Sequence, residues 1–190
     1  MSTPGKKDQI YAAARALFST RGYAATTVRD IAKEVGIRGA SVYAHVDGKE
    51  RILWDLVIEA ADAFRDAVRP IMASTLAPDE KLRLAMAEHV TVIARNIETS
   101  TIYFHEWQHL SPARRRAVRD RRDTYEQLFR AVIAEGIRKR VFAKRDARHV
   151  SIVLLSSLNG VSTWFRPSGP LSPESLGALY ADLLLKGILR

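Results

Sequence analysis

The chain has 190 residues, 47% of them hydrophobic, which suits one or two globular domains with a proper core. It has no cysteine, excluding disulfides and thiolate metal sites, and its apolar runs are too short to span a membrane. The opening MSTPGKKDQ lacks the apolar stretch of a secretion signal, so a cytoplasmic protein is expected. With 30 Lys and Arg against 21 Asp and Glu, the formal charge of +9 points to a polyanionic partner. Residues 1–51 hold nine of those cations against five acids, so positive charge is densest at the front.

Hydrophobic periodicity predicts nine helices and no strands. The first, about Lys6 to Thr20, carries Ile10, Ala13, Ala14, Leu17 and Phe18 on one face. Thr27 then caps a second helix, with Asp30 closing a capping box and Val28, Ile31, Ala32 and Val35 forming its apolar side. Gly36 follows at the position where a left-handed turn is easiest. Ile37 and Val42 anchor a third helix, about Arg38 to His45. Its outward positions, Arg38, Gly39, Ser41, Tyr43, Ala44 and His45, are donors and small groups that suit a helix in a DNA major groove. The segment is a helix-turn-helix.

The order G-Y-x-x-T-T-V-x-D-I-A-x-x-x-G-I, then S-V-Y-x-H, then K-E-x-I-L closely resembles the tetracycline-repressor (TetR) family of bacterial regulators over roughly the first 55 residues. The resemblance implies an all-α fold of about nine helices. A three-helix DNA-binding domain would occupy residues 1–50, and a helical ligand-binding and dimerisation domain residues 51–190. Arg38 replaces the family's usual Ser, Ala40 its Gly and His45 its Tyr; these departures bear on the operator sequence, not the fold. Arg38, Ser41, Tyr43 and His45, with Gly39 beside them, are the candidate base-reading residues; Thr27 and Lys49 are expected to hold phosphates.

A long fourth helix is predicted from Asp47, with Glu50 completing a second capping box, through Leu53, Leu56, Val57, Ala60 and Phe64 to Pro70, which should end or kink it. Leu82, Ala85, Met86, His89, Val90 and Ile93 form the next stripe. Ser111 and Pro112 open a long helix with Tyr125, Leu128, Phe129, Val132, Ile133 and Ile137 inward. The arginine-rich run Arg114 to Arg122 reads as a solvated face with i, i+4 Arg–Asp and Arg–Glu pairs; Arg114, Arg115 and Arg121 lack such partners and leave a phosphate role open. An eighth helix, about Asp146 to Phe165, places Val150, Val153, Leu154, Ser157, Leu158 and Val161 on one side, with Ile152 and Leu155 opposite. The ninth, begun by Ser172 and Pro173, carries Leu176, Leu179, Tyr180, Leu183 and Leu184. Two such apolar helices predict a two-fold homodimer paired through a four-helix bundle.

His105-Glu106-Trp107-Gln108-His109 matches H-E-x-x-H, in which two histidines one helical turn apart hold zinc and the glutamate acts as base. Pro112 and Arg115 stand where the longer zinc-protease form needs Gly and His. A zinc-dependent hydrolase or metal-responsive protein is therefore the alternative reading; the leading one assigns no catalytic residue, metal or cofactor. Aromatics gather towards the C-terminus. The family resemblance implies an effector pocket among the middle helices, for which Met86, His89, Ile93, Trp107, Phe129, Val132, Leu158 and Trp164 are candidates. YFHEWQHL (Tyr103 to Leu110) and NGVSTWFRPSGPLSP (Asn159 to Pro173) resemble the acyl-CoA-responsive branch of that family, adding Arg166. Gly160 and Thr163 replace that branch's usual Trp and Arg. The expected protein is a repressor that binds a double-stranded palindromic operator as a dimer and is released by a small effector, with an acyl-CoA thioester as the leading class.

Overall fold

A computed structural model describes residues 5–189. Their named elements are all helices: α1 (Lys6–Arg21), α2 (Val28–Val35), α3 (Gly39–Val42), α4 (Lys49–Ala73), α5 (Pro78–Arg95), α6 (Ile97–His105), α7 (Pro112–Arg138), α8 (Ala147–Asn159), α9 (Val161–Trp164) and α10 (Pro173–Lys186). A 3₁₀ turn, Trp107–His109, follows α6, and an isolated bridge joins Phe142 to Leu189. No described helix is long and apolar enough to cross a membrane.

The chain forms two compact units. The first takes the residues up to Ala60 together with Glu98–Val118; the second takes Ala61–Ile97 and the chain from Arg119 onward. Helices α4 and α7 each contribute to both. In the first unit, Ile10, Ala14, Leu17 and Phe18 of α1, Ile31 and Ala32 of α2, Val42 of α3, and Ile52, Leu53, Leu56 and Val57 of α4 are all buried and make up the core. Side chains clamp α1 to α4 outside this core. Arg15 bonds both carboxylate oxygens of Glu59 at 3.1 Å, and the Tyr11 hydroxyl donates to Asp55.

The second unit is built on α5, whose predicted stripe is entirely buried. Helix α10 lies close along it because Gly177 has no side chain; a Cβ there would sit 2.4 Å from the Ala87 carbonyl oxygen. Leu176, Ala181 and Leu185 are buried, whereas Leu179 and Leu183 are 44% and 61% exposed. The stripe expected for the ninth helix is thus two faces, one in the core and one outside. Helix α8 divides likewise, with Ser151, Leu154 and Leu158 buried and Ile152 and Val153 45% and 62% exposed.

Three local expectations are corrected. Of the two outcomes expected at Pro70, an end or a kink, the end does not occur: α4 runs three residues further to Ala73, since proline removes one backbone donor and at this exposed position water can satisfy the orphaned carbonyl. The eighth predicted helix is divided at Gly160 into α8 and α9. There the Ser162 hydroxyl takes the Asn159 carbonyl (2.7 Å) and that of Thr163 takes the Gly160 carbonyl (2.7 Å), competing with the helical ladder. At the start of α4, Asp47 lies outside the helix, and the Glu50 carboxylate bonds a distant part of the chain, described below.

Candidate nucleic-acid interface

The reading head is assembled from short-range chemistry. Thr27 N–H donates to Asp30 Oδ2 (2.8 Å) while Thr27 Oγ1 accepts from Asp30 N–H (3.2 Å), so the capping box forms as expected. The Thr27 hydroxyl also donates to Asp30 Oδ2 (2.6 Å), and this bond first, then that of the Thr27 amide, holds the Asp30 pKa below the usual range. At the other end of α2, Gly36 adopts φ 69° and ψ 33°, and the Ile37 N–H returns to the Ala32 carbonyl (2.9 Å). This reversal sends the chain into α3, a single helical turn anchored by the fully buried Val42. Arg38, Ser41, Tyr43, Ala44 and His45 all point into solvent, Gly39 is half-buried beside Arg29, and Tyr43 is 60% exposed. An aromatic ring that open, flanked by cations and hydroxyls, is presented rather than stored.

Lys49 is held differently from a free phosphate ligand. Its ammonium donates to the carbonyls of Tyr23 (2.8 Å) and Thr26 (2.7 Å) and lies 4.0 Å from the Tyr23 ring centroid. Partial burial lowers its pKa. Two of its three donors thus fix the turn between α1 and α2, one residue ahead of the Thr27 cap. Thr27 itself is exposed at the end of that turn.

The same turn is gripped from the middle of the chain. Tyr23 N–H donates to Glu106 Oε2 (2.9 Å), and the Tyr23 ring stacks on His109 with centroids 5.4 Å apart. Gly22, at φ 82°, brings its backbone within 3.6 Å of Glu106 Oε1, measured from where a Cβ would stand. A second grip lies at the start of α4, where Glu50 Oε1 accepts from the Ser111 N–H (3.0 Å) and from Arg114 Nη1 (3.0 Å). The Ser111 amide is the main reason the Glu50 pKa is lowered. Arg114 also lies 5.6 Å from the Trp54 ring, so an arginine that sequence reasoning left unpartnered is a tether.

These contacts decide the H-E-x-x-H string. Helix α6 ends at His105, and His109 lies in the following 3₁₀ turn, so the histidines do not share one continuous helical face. Glu106, which zinc hydrolysis would use as base, holds the Tyr23 amide. Sequence reasoning gave Glu106 and the histidines an alternative metal role and read Glu50 and Ser111 as helix caps, but it paired none of them across the chain; their partners lie far off in sequence, a reach that periodicity does not encode.

Residues 10–55 match the family described as "Bacterial regulatory proteins, tetR family", and residues 75–188 the "Tetracyclin repressor-like, C-terminal domain". The chain belongs to the TetR family. It is similar to the HTH-type transcriptional repressor KstR2 of Mycobacterium tuberculosis, at 31% identity over 97% of this chain and 94% of that protein. The solved structure of that ketosteroid regulator superposes with a TM-score of 0.92 at 29% identity, covering 100% of this chain and 97% of that one. PfmR of Thermus thermophilus aligns at 0.86 and 32%, covering 95% and 99%. AibR, solved with isovaleryl coenzyme A and operator DNA, shares the fold at 0.84 and 22%, covering 97% and 98%. The chain is a helix-turn-helix transcriptional regulator.

In this TetR-family chain, six of the expected effector residues, Met86, His89, Ile93, Phe129, Val132 and Leu158, are buried in the second unit. Trp107 belongs to the first unit. Trp164 is 48% exposed and stacks on Tyr180 (6.2 Å), and Arg166 is exposed, bonding the Phe165 carbonyl (3.1 Å). At the centre, His89 Nε2–H donates to Asn159 Oδ1 (3.0 Å) and Nδ1 accepts from the Tyr125 hydroxyl (2.8 Å). Phe64 stacks on the imidazole at 4.8 Å, and Tyr125 and Phe129 complete the cluster. Burial drives the His89 pKa down to about 4, so the ring is neutral. Phe64, Tyr125 and Asn159 were not among the expected site residues, although each stood in a quoted stripe or motif.

Proposed function

We propose that the chain represses transcription from the cytoplasm, without catalysis, as a homodimer on a palindromic operator, and is released by an acyl-CoA thioester. The observation that carries the DNA half is the exposed face of α3. Arg38, Ser41, Tyr43 and His45 stand open on a turn fixed by the Thr27 box, Gly36 and Lys49. Arg38, Ser41, Tyr43 and His45 read bases or nearby phosphates, with Gly39 allowing close approach. Thr27 and the remaining N–H of Lys49 hold the backbone.

The effector half rests on the chemistry of the second unit. A neutral histidine, a phenol and an amide form a polar centre inside an aromatic cluster, a composition suited to an apolar ligand with a carbonyl-type group. Met86, His89, Ile93, Phe129, Val132 and Leu158 line that site, with Trp164 and Arg166 at its margins; Trp107 belongs to the first unit and is left out of it. AibR, which shares the fold, was solved with such a thioester, and this supports the class. Residues 1–50 carry DNA recognition and residues 51–190 effector binding and dimerisation. Coupling runs through Glu98–Val118, which leaves the second unit, grips the head through Glu106, His109, Ser111 and Arg114, and returns. A ligand that shifts either end of that segment alters the turn beneath α3, with a typical coupling of about 1–3 kcal/mol.

Selection of operators from random duplexes, with and without a panel of acyl-CoA thioesters, tests both halves. A palindrome released by one thioester is the expected result. A palindrome indifferent to all of them removes the effector class, and no enriched sequence removes the DNA reading.

A further inference from the structure

The far end of α7 carries a feature that neither DNA reading nor effector binding uses. After Arg138 the chain reverses through Arg140, the one described non-glycine residue with positive φ (61°). Gly22, Gly36 and Gly48 hold the other positive values. Glycine is the favoured residue at this helix-terminating position because a Cβ crowds the following carbonyl. An arginine kept in a conformation that glycine would adopt more easily suggests a use for its side chain.

That side chain lines a cavity of about 290 Å³, together with Ile137, Arg138, Phe142 and Lys144. Among the described residues, the walls hold three cations and no carboxylate. Among the described residues none of the three makes an ion pair; nearby Glu135 is taken by Lys139 at 2.7 Å. The floor is apolar and fixed. Phe142 is 2% exposed and packs where a Cβ on Gly136 would be 2.2 Å from its ring, and Ala143 N–H donates to the Ile188 carbonyl (3.0 Å). Helix-end carbonyls would repel an anion, but here they are occupied: Gly136 accepts from Val141 and Phe142, and Ile137 from Arg140.

We propose that this cavity binds the pyrophosphate group of a nucleotide-type organic phosphate, with Arg138, Arg140 and Lys144 as its cations. Guanidinium groups suit phosphate oxygens through paired, charge-assisted hydrogen bonds, Lys144 adds a point charge, and the cavity has more room than one phosphate fills. Such a group occurs in free nucleotides and at the nucleotide end of coenzyme A; the site does not depend on the effector being a thioester.

Calorimetry on the full chain at low salt, with inorganic pyrophosphate, ADP and coenzyme A as probes, tests the assignment. Arg140→Gly should raise the melting temperature, because the strain is released, and weaken phosphate binding by about tenfold or more. Lys144→Ala should weaken binding comparably with the melting temperature unchanged. Equal binding of ADP and coenzyme A marks a free-nucleotide site, whereas coenzyme A alone marks a coenzyme site. Failure of every probe to bind the parent chain overturns the proposal, as does stabilisation by Arg140→Gly with binding intact. Loss of operator affinity in both variants with no phosphate ligand would make the patch a DNA contact and overturn it equally.

Discussion

At the scale of single residues, burial decides which side chains respond to pH. His89 has a folded pKa of about 4 against an ordinary value of 6.5, so between those values the unfolded chain binds more protons than the folded one. Stability is therefore complete above about pH 6.5 and falls as pH drops towards 4, by about 3 kcal/mol from this residue. Urea denaturation at several pH values should show this loss in the parent chain and its reduction in His89→Gln. Lys49 makes a different point. If it acted only on DNA phosphates, Lys49→Met would leave the free protein unchanged. Its two bonds to the Tyr23 and Thr26 carbonyls predict instead a loss of about 1–3 kcal/mol in the absence of DNA, readable by the same method.

At the scale of elements, what was legible in the sequence is what local chemistry determines. Thr27, Asp30 and Gly36 act within a few residues of themselves, and the helix-turn-helix they delimit forms where expected. The stripe on α5 was equally plain because one face of it is wholly buried. Helices α8 and α10 were harder to read. Each is apolar on two sides, and periodicity cannot say which side meets the same chain and which meets another. Gly177 supplies the missing information for α10, since only its face approaches α5 closely. Gly177→Val should cost about 1–3 kcal/mol through overpacking, measured as a lowered denaturation midpoint. The exposed apolar residues Leu179 and Leu183, with Val153 of α8, are the surface we propose for the homodimer contact. Leu183→Glu should shift sedimentation towards the monomer while leaving helix content unchanged. The tethers of Glu50, Glu106 and Arg114 were illegible for another reason: their partners lie 61, 83 and 64 residues away, and nothing in the local pattern marks that reach.

At the scale of the whole molecule, a dimer carries two reading heads, and substitutions in the head should be felt twice on a symmetric operator. Arg38→Ala should cost about 1–3 kcal/mol per half-site if it reads a base, with little change in salt dependence. If it holds a phosphate, the slope of log K against log salt should instead flatten by about one per half-site. Titrations at several salt concentrations separate these roles. The discontinuous make-up of the head also limits what protein engineering can do with it. Glu106, His109, Ser111 and Arg114 enter the first unit from mid-chain and occupy the amide of Tyr23, its ring and the carboxylate of Glu50. A chimera that transplants only the stretch up to Ala60 onto another sensor would carry the DNA-reading surface without its keystones. The recognition function is therefore not a portable cassette, and a working graft must bring both stretches of chain.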